Sequence, residues 1–115
     1  MLFRSVEKDD RAYAQLQKNT LLALGRDHPT YRAFHYGVRQ FCKKNNLKAY
    51  DVMIFDPPYD LVQTDHFDGI TNHLAPDGIV VFSLPSTIEP LRLPGLKVIK
   101  QKTYGVAQLV YYKPE

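Results

Sequence analysis

A short apolar run near the middle of the chain ends abruptly. Val52-Met53-Ile54-Phe55 is continuously apolar and is followed at once by Asp56-Pro57-Pro58. Continuous rather than alternating apolarity is typical of a strand that is buried on both faces of a parallel sheet. Two consecutive prolines cannot donate to a sheet ladder, so the strand must end at this point. We therefore predict an α/β fold with a buried strand at residues 52–55.

The hydrophobic spacing elsewhere predicts strands and helices in alternation. In chain order we predict a strand at 3–6, a helix from Asp9 or Asp10 to Gly25 with a core-facing stripe, a strand at 31–36, a helical turn or two around 38–42, a helix at 65–74, a turn at 76–78, a buried strand at 79–82, and strands at 96–102 and 106–112 joined around Tyr104-Gly105. The last two strands are predicted to form an antiparallel hairpin at a sheet edge. The whole of residues 1–115 is predicted to form one domain or part of one.

Composition excludes several classes of protein. No apolar run approaches the roughly 18 residues that span a bilayer, and the N-terminus does not resemble a signal peptide, so we expect a cytoplasmic protein without membrane contact. Cys42 is the only cysteine, and the four histidines lack metal-binding spacing, so we expect no metal site. The formal charge of +3 and the pI near 9.0 are compatible with a nucleic-acid partner but do not require one.

The loop after the buried strand combines acceptors with an aromatic ring. Open α/β sheets bind ligands beyond the carboxyl ends of their strands, which is where Asp56, Pro57, Pro58 and Tyr59 fall. The prolines stiffen the loop, so the Asp56 carboxylate and the carbonyls of Asp56 and Pro57 are presented as acceptors. These acceptors suit the exocyclic amine of a base, and Tyr59 could stack on the base face. We interpret this loop as a site that orients an amine for direct attack on a methyl donor.

Glu7 follows the first predicted strand, where nucleoside-binding sheets hold ribose hydroxyls with an acidic side chain. Its immediate surroundings are also rich in charge, so a surface or helix-capping role explains Glu7 equally well. Similarly, Asp56-Pro57-Pro58 could simply end a strand, with Tyr59 packing on a neighbour. Only the combination of Glu7 with the later loop points to a site.

With these motifs in view, the sequence resembles the bacterial small-subunit (16S) ribosomal RNA guanine-N2 methyltransferases. The matching segments are Val6-Glu7-Lys8-Asp9, residues 50–59, Leu74-Ala75-Pro76-Asp77-Gly78 and Tyr104-Gly105. The resemblance implies a Rossmann-like class I methyltransferase sheet with a C-terminal antiparallel hairpin. It also implies S-adenosylmethionine as the methyl donor and a guanine of small-subunit ribosomal RNA, free or in an assembly particle, as the acceptor.

The resemblance further implies roles for individual residues. Asp56 to Tyr59 would hold the base and Glu7 would lie at the cofactor ribose, while Lys8, Gly37 and Val38 are further candidate cofactor-binding residues and the adenine contact is unassigned. Gly37 stands where the family usually has an Asp or Asn that reaches the adenine amine. The family's first strand and its glycine-rich loop have no counterpart here. We therefore expect the chain to begin at the family's second strand and to be inactive by itself.

Three other functions stay open at this stage. The Asp-Pro-Pro-Tyr tetrapeptide is shared with DNA adenine-N6 methyltransferases, so it specifies an amino group better than it specifies the base. A non-catalytic RNA-binding or assembly module could have kept the sheet without the cofactor loop. A nicotinamide-dependent oxidoreductase would use Glu7 similarly, but it gives no reason for Asp-Pro-Pro-Tyr and would also need a glycine loop.

Overall fold

A computed structural model describes residues 3–24, 31–34, 38–44, 50–57, 67 and 69–115. The elements in chain order are β1 (Phe3–Val6), α1 (Asp10–Leu24), β2 (Tyr31–Phe34), α2 (Val38–Lys44), β3 (Tyr50–Phe55), a 3₁₀ helix (Ile70–His73), β4 (Leu74–Pro85), β5 (Leu96–Tyr104) and β6 (Ala107–Pro114). The predicted α/β fold class is confirmed. The predicted strand at 31–36 is seen as far as Phe34, and its last two residues lie outside the described ranges.

The strands form two sheets within these ranges. β1 pairs in parallel with β2, while the second sheet has the order β3-β4-β6-β5. β3 and β4 are parallel, whereas β6 is antiparallel to both of its neighbours. No ladder joins β1 to β3 in the described part of the chain, so each of these two strands has a single paired neighbour.

The predicted start of α1 is confirmed by its cap. The Asp9 carboxylate accepts a hydrogen bond of 2.9 Å from the backbone N–H of Ala12, and Asp10 adds a negative charge to the first turn. Both interactions favour a helix N-terminus. Tyr13, Leu16 and Thr20 are half-buried, as the predicted stripe requires, and Leu24 closes the helix.

The core lies on one face of the four-stranded sheet. Alternate residues of β4 and β6 supply its centre, and the surrounding segments cover it; the buried members are Phe67, Ile70, Val80, Phe82, Leu84, Leu93, Leu96, Val110 and Tyr112. The 3₁₀ helix is joined to α2 by buried His73, whose Nε2 donates to the Cys42 carbonyl oxygen at 3.0 Å. This bond holds α2 beside the 3₁₀ helix, and both helices contribute side chains that cover the core.

The prediction that residues 52–55 are buried on both faces is wrong. Met53 and Phe55 pack against the core, but Val52 is 58% exposed and Ile54 is 75% exposed. Side chains alternate along a strand, so these two pairs point to opposite faces of the sheet. The core cluster occupies only the face that carries Met53 and Phe55.

The predicted helix at 65–74 is also corrected. Among its described residues, Phe67 and Ile70–His73 have 3₁₀ rather than α-helical conformation, and Leu74 already belongs to β4. Gly69 has φ of +90°, a left-handed conformation that interrupts an α-helix. Phe67 and Ile70 are nevertheless buried, as predicted. The predicted turn at 76–78 lies inside β4, as an irregularity between the Tyr50–Leu74 and Val52–Ile79 pairs.

The predicted hairpin is confirmed and is longer than expected. β5 and β6 pair antiparallel from Leu96–Pro114 to Tyr104–Ala107, and β5 is the edge strand of the sheet. The connecting turn uses Gly105 at φ +57°, a backbone conformation in which residues with a Cβ are strained. The ladder shifts register between Val98 and Lys100, so β5 contains one extra residue relative to β6.

Candidate functional site

Asp56 and Pro57 directly follow the last paired residue of β3. Asp56 is exposed and Pro57 is half-buried, whereas Pro58 and Tyr59 lie outside the described residues. Because β3 and β4 are parallel, their carboxyl ends meet at the same edge of the sheet. Ligands of open α/β sheets bind outside such an edge. The backbone thus places the Asp56 carboxylate where a ligand could reach it.

Three phenylalanines anchor the end of β3. The Phe55 ring stacks on Phe82, with a centroid separation of 4.7 Å and an interplanar angle of 16°. Phe67 meets both rings edge-on, at 5.5 Å from Phe55 and 4.8 Å from Phe82. Aromatic pairs in offset or edge-to-face geometry contribute beyond the area that they bury. The residue before Asp56 is therefore fixed in the core, which limits how far the start of the loop can move.

Tyr112 extends this aromatic cluster towards the segment that follows β4. Its ring lies edge-on to Phe82 at 5.7 Å, and its hydroxyl donates a hydrogen bond of 2.7 Å to the Leu91 carbonyl oxygen. Burial raises the pKa of Tyr112 to about 12, so the hydroxyl keeps its proton and remains a donor. The bond ties the segment after β4 to the core.

A buried glutamine holds the turn after β4. Gln108 donates from Nε2 to the carbonyl oxygens of Pro85 and Ile88, both at 2.8 Å, and its Oε1 accepts a bond of 2.7 Å from Gln101 Nε2. Sequence reasoning missed this residue. The available signal was strand alternation, which places Gln108 on the core face with Val110 and Tyr112 and so requires a polar group there to find partners.

Replacing Gln108 by leucine is expected to lower the free energy of unfolding by about 1–3 kcal/mol, because two buried carbonyls lose their donor. Urea denaturation followed by circular dichroism measures the change. Gln15→Leu is the matched control: Gln15 is exposed on α1, so its loss should cost less. Equal losses in the two variants would contradict a role for Gln108 in holding the turn.

Glu7 lies at the carboxyl end of β1 and is half-buried. Its Oε2 accepts hydrogen bonds from the backbone N–H groups of Lys8, at 2.9 Å, and Asp9, at 3.3 Å. Its Oε1 makes no hydrogen bond with the described residues, so one carboxylate oxygen remains able to accept from a hydroxyl. Such an oxygen can accept a hydrogen bond from a ribose hydroxyl, which is the role predicted for Glu7 towards S-adenosylmethionine.

The structure describes two of the other three predicted cofactor residues. Lys8 is exposed beside Glu7. Val38 opens α2, is half-buried and packs against the core cluster, while Gly37 lies outside the described residues. Glu7 and Asp56 follow strands of different sheets, and no ladder within the described ranges brings those two strands together.

The turn of the β5–β6 hairpin reaches the same edge of the sheet as Asp56. Pro85, at the end of β4, pairs with Ala107, and the backbone N–H of Ser86 donates to the Val106 carbonyl oxygen at 2.8 Å. Tyr104 is 51% exposed and Val106 is 82% exposed at this turn. Sequence analysis predicted the turn but not its position beside the candidate site.

Other kinds of site find little support in the described residues. They contain no group of three or more His, Cys, Asp or Glu side chains that could hold a metal ion. Burial raises the pKa of the Cys42 thiol, which disfavours the thiolate that a nucleophile requires. In the same residues, no helix combines the length and apolarity needed to cross a membrane.

Comparison with known proteins points to one family. The family model described as "Conserved hypothetical protein 95" matches residues 3–113. A search of curated proteins finds no significant match.

Solved structures share the fold over nearly the whole chain. A conserved hypothetical protein of Streptococcus pyogenes has a TM-score of 0.78 at 21% identity, covering 97% of this chain and 71% of that one. A candidate methylase of Haemophilus influenzae, HI0767, has a TM-score of 0.74 at 20% identity, covering 96% and 71%. The candidate methyltransferase YhhF of Escherichia coli has a TM-score of 0.75 at 16% identity, covering 97% and 62%. The match confirms the predicted methyltransferase fold.

Proposed function

Since the chain belongs to the family described as "Conserved hypothetical protein 95" and shares its fold with a candidate methylase and a candidate methyltransferase, we propose that it transfers a methyl group from S-adenosylmethionine to the N2 amine of a guanine in small-subunit ribosomal RNA. The observation that carries the proposal is the position of Asp56-Pro57 at the carboxyl end of a parallel strand, held by the Phe55 stack. The solved relatives are longer, since this chain spans 62–71% of their length. The activity is therefore proposed for the whole protein.

Asp56 and Pro57 account for the handling of the acceptor. An exocyclic amine offers two N–H donors, and the Asp56 carboxylate with the carbonyls of the Asp56-Pro57 segment offers acceptors. Holding the amine by its hydrogens aims the nitrogen lone pair away from the loop, towards the methyl group. Orientation of this kind supplies much of the rate in a direct transfer. The Asp56 carboxylate is also a suitable acceptor for the proton that the nitrogen loses after methylation.

Glu7 accounts for part of donor binding. Its Oε1 can accept a hydrogen bond from a ribose hydroxyl while Oε2 stays bonded to the backbone of Lys8 and Asp9. Since Oε2 is already fixed, little side-chain entropy remains to be lost on binding. S-adenosylmethionine, when bound, supplies an electrophilic methyl group on a sulfonium. We keep Lys8, Gly37 and Val38 as proposed cofactor-binding residues.

A non-catalytic RNA-binding or assembly module is the second candidate. It is favoured by the lack of a ladder between β1 and β3 in the described residues, because the proposed donor and acceptor sites lie on different sheets. The same observation supports the expectation that residues 1–115 are inactive by themselves. Donor binding separates the two functions, since only the enzyme requires S-adenosylmethionine.

The test is a transfer assay with the full-length protein and tritiated S-adenosylmethionine. The acceptors are unmethylated small-subunit RNA, small-subunit particles and duplex DNA. Digestion and mass spectrometry of the product should show N2-methylguanosine from RNA. N6-methyladenine from the DNA would replace the RNA assignment with DNA methylation. If calorimetry detected no binding of S-adenosylmethionine, the non-catalytic module would be the remaining candidate function.

Replacing Tyr59 by alanine is expected to lower the rate of transfer roughly fivefold or more, because base stacking contributes about 1–3 kcal/mol. Tyr59→Phe should retain most of the activity, since the ring rather than the hydroxyl is invoked. Initial rates of the two variants at one RNA concentration measure the effect. If phenylalanine were as damaging as alanine, the hydroxyl would be the group that matters.

A further inference from the structure

The excess positive charge of the chain is concentrated in its last elements. Residues 96–115 contain four lysines and one glutamate, a net charge of +3, which equals the formal charge of the whole chain. Residues 1–95 therefore have equal numbers of acidic and basic side chains. The basic character of the protein belongs to the β5–β6 hairpin.

The register of the hairpin places these lysines on one face. The cross-strand pairs on that face are Lys97–Lys113, Lys100–Tyr111, Lys102–Leu109 and Tyr104–Ala107. The opposite face contains Gln108, Val110 and Tyr112, which are buried in the core. We call the outward-facing set the lysine–tyrosine face, and its members are Lys97, Lys100, Lys102, Tyr104, Tyr111 and Lys113.

The register shift between Val98 and Lys100 is what completes this face. Side chains alternate along a strand, so an unbroken β5 would place Lys97 and Lys100 on opposite faces. Because Ile99 is skipped in the ladder, Lys100 keeps the outward orientation, and Lys102 follows it by alternation. If Ile99 paired regularly with β6, Lys100 and Lys102 would point towards the core.

The arrangement of charges is unfavourable in the protein alone. Lys97 lies directly opposite Lys113, and like charges in such cross-strand pairs are destabilising. None of the four lysines forms an ion pair with any residue that the structure describes. Lysines on an edge strand also prevent aggregation, but Lys113 and Tyr111 lie on β6, an inner strand that needs no such protection. An anionic partner would explain the whole set.

Aromatic rings are interleaved with the cations. Lys100 Nζ lies 5.9 Å from the centroid of the Tyr111 ring, and Lys102 Nζ lies 5.3 Å from that of Tyr104. A hydrogen bond with the Tyr104 side chain raises the pKa of Lys102, so its ammonium group remains charged. Tyr104 is exposed and Tyr111 is half-buried. Cations beside such rings suit single-stranded nucleic acid, which offers both phosphates and unstacked bases.

The lysine–tyrosine face also leads to the candidate site. Tyr104 lies at the hairpin turn, at the same edge of the sheet as the end of β4 and the loop that begins at Asp56. Lys102 and Lys100 follow along β5 away from this edge, with a spacing of about 7 Å between them. A strand of nucleic acid lying along β5 would therefore end beside the acceptor loop.

We propose that the lysine–tyrosine face binds single-stranded nucleic acid, with phosphates on the lysines and a base on Tyr104, and directs the strand to the edge that carries Asp56. That the strand is the RNA to be methylated rests on the proposed function. The binding itself rests on the charge and the register of the hairpin and on the exposed Tyr104 ring.

The test compares two double variants of the full-length protein that lose the same charge. Lys100→Gln with Lys102→Gln removes cations from the face, while Lys18→Gln with Lys43→Gln removes exposed lysines of α1 and α2. Binding of a fluorescein-labelled 12-nucleotide single-stranded RNA is followed by anisotropy at several salt concentrations. Each lost phosphate contact should reduce the slope of log affinity against log salt by about 0.7.

The face double variant should therefore lower the slope by about 1.4 and weaken binding roughly 10- to 30-fold at 0.1 M salt. The control double variant should bind within about twofold of the original protein. Tyr104→Ala should weaken binding roughly fivefold or more without changing the slope, because stacking involves no counterion release. Circular dichroism verifies that each variant is folded.

Equal weakening in the two double variants, or an unchanged slope in the first, would show that the nucleic acid binds elsewhere. Displacement of the RNA by phosphatidylserine vesicles or polyglutamate at equal charge would show a general anion surface and overturn the assignment. A DNA strand of the same sequence tests whether the sugar is recognised. The RNA-binding assay contains no S-adenosylmethionine, whereas the transfer assay reports the proposed function, so loss of RNA binding and loss of methyl transfer can be distinguished.

Discussion

Replacing Asp56 by alanine in the full-length protein is expected to reduce kcat for methyl transfer by about 10²- to 10³-fold, with nearly unchanged affinity for S-adenosylmethionine. Removing one preorganised polar group that contacts the reacting atoms has effects of this size. Asp56 is exposed at the end of β3, so its loss should leave the fold intact. Single-turnover transfer rates and calorimetry with the donor measure the two quantities.

Asp51 offers a matched control for Asp56. It is an exposed aspartate on the same strand, at the opposite end from the candidate site. Asp51→Ala should therefore retain transfer, and both variants should have the same thermal midpoint within a few degrees. Retained turnover in Asp56→Ala would remove Asp56 from the reaction. Loss of donor affinity in that variant would assign it to the cofactor instead.

Replacing Phe82 by alanine is expected to lower the free energy of unfolding by about 3–5 kcal/mol. The side chain is fully buried and contacts the rings of Phe55, Phe67 and Tyr112, so its removal leaves a cavity at the centre of the cluster. A small domain has a total stability of only about 5–15 kcal/mol. We therefore expect a large fall in the urea midpoint.

Tyr104→Ala serves as the control for Phe82→Ala. Tyr104 is an exposed aromatic residue at a turn, so its replacement should change the stability by no more than about 0.5 kcal/mol. Urea denaturation of both variants should give the same m value if only the folded state is affected. A loss below about 1 kcal/mol for Phe82→Ala would mean that the aromatic cluster does not stabilise the sheet.

Elements with local signals could be predicted from the sequence. The Asp9 cap begins α1 next to it, and Gly105 permits the turn that joins β5 to β6. The position of Asp56 at a strand end followed from the prolines next to it. In each case the interactions that decide the structure lie within a few residues of one another.

Features that depend on distant segments could not be predicted. The exposure of Val52 and Ile54 is decided by what packs on each face of the sheet, and apolarity alone does not reveal this. The two carbonyls that Gln108 holds lie 23 and 20 residues away in the chain. The hairpin turn reaches the candidate site only because β6 pairs with β4. Sequence spacing contains no information on such pairings.

The register shift in β5 makes this strand tolerant of the loss of one particular residue. Ile99 is half-exposed and has no partner in the ladder with β6. Its deletion would leave Val98 and Lys100 as neighbours in a regular strand, so each would keep its present face of the sheet. A deletion after Lys100 would instead exchange the inward and outward side chains that follow it. Relatives can therefore differ in length by one residue at Ile99 and keep the same lysines on the outer surface.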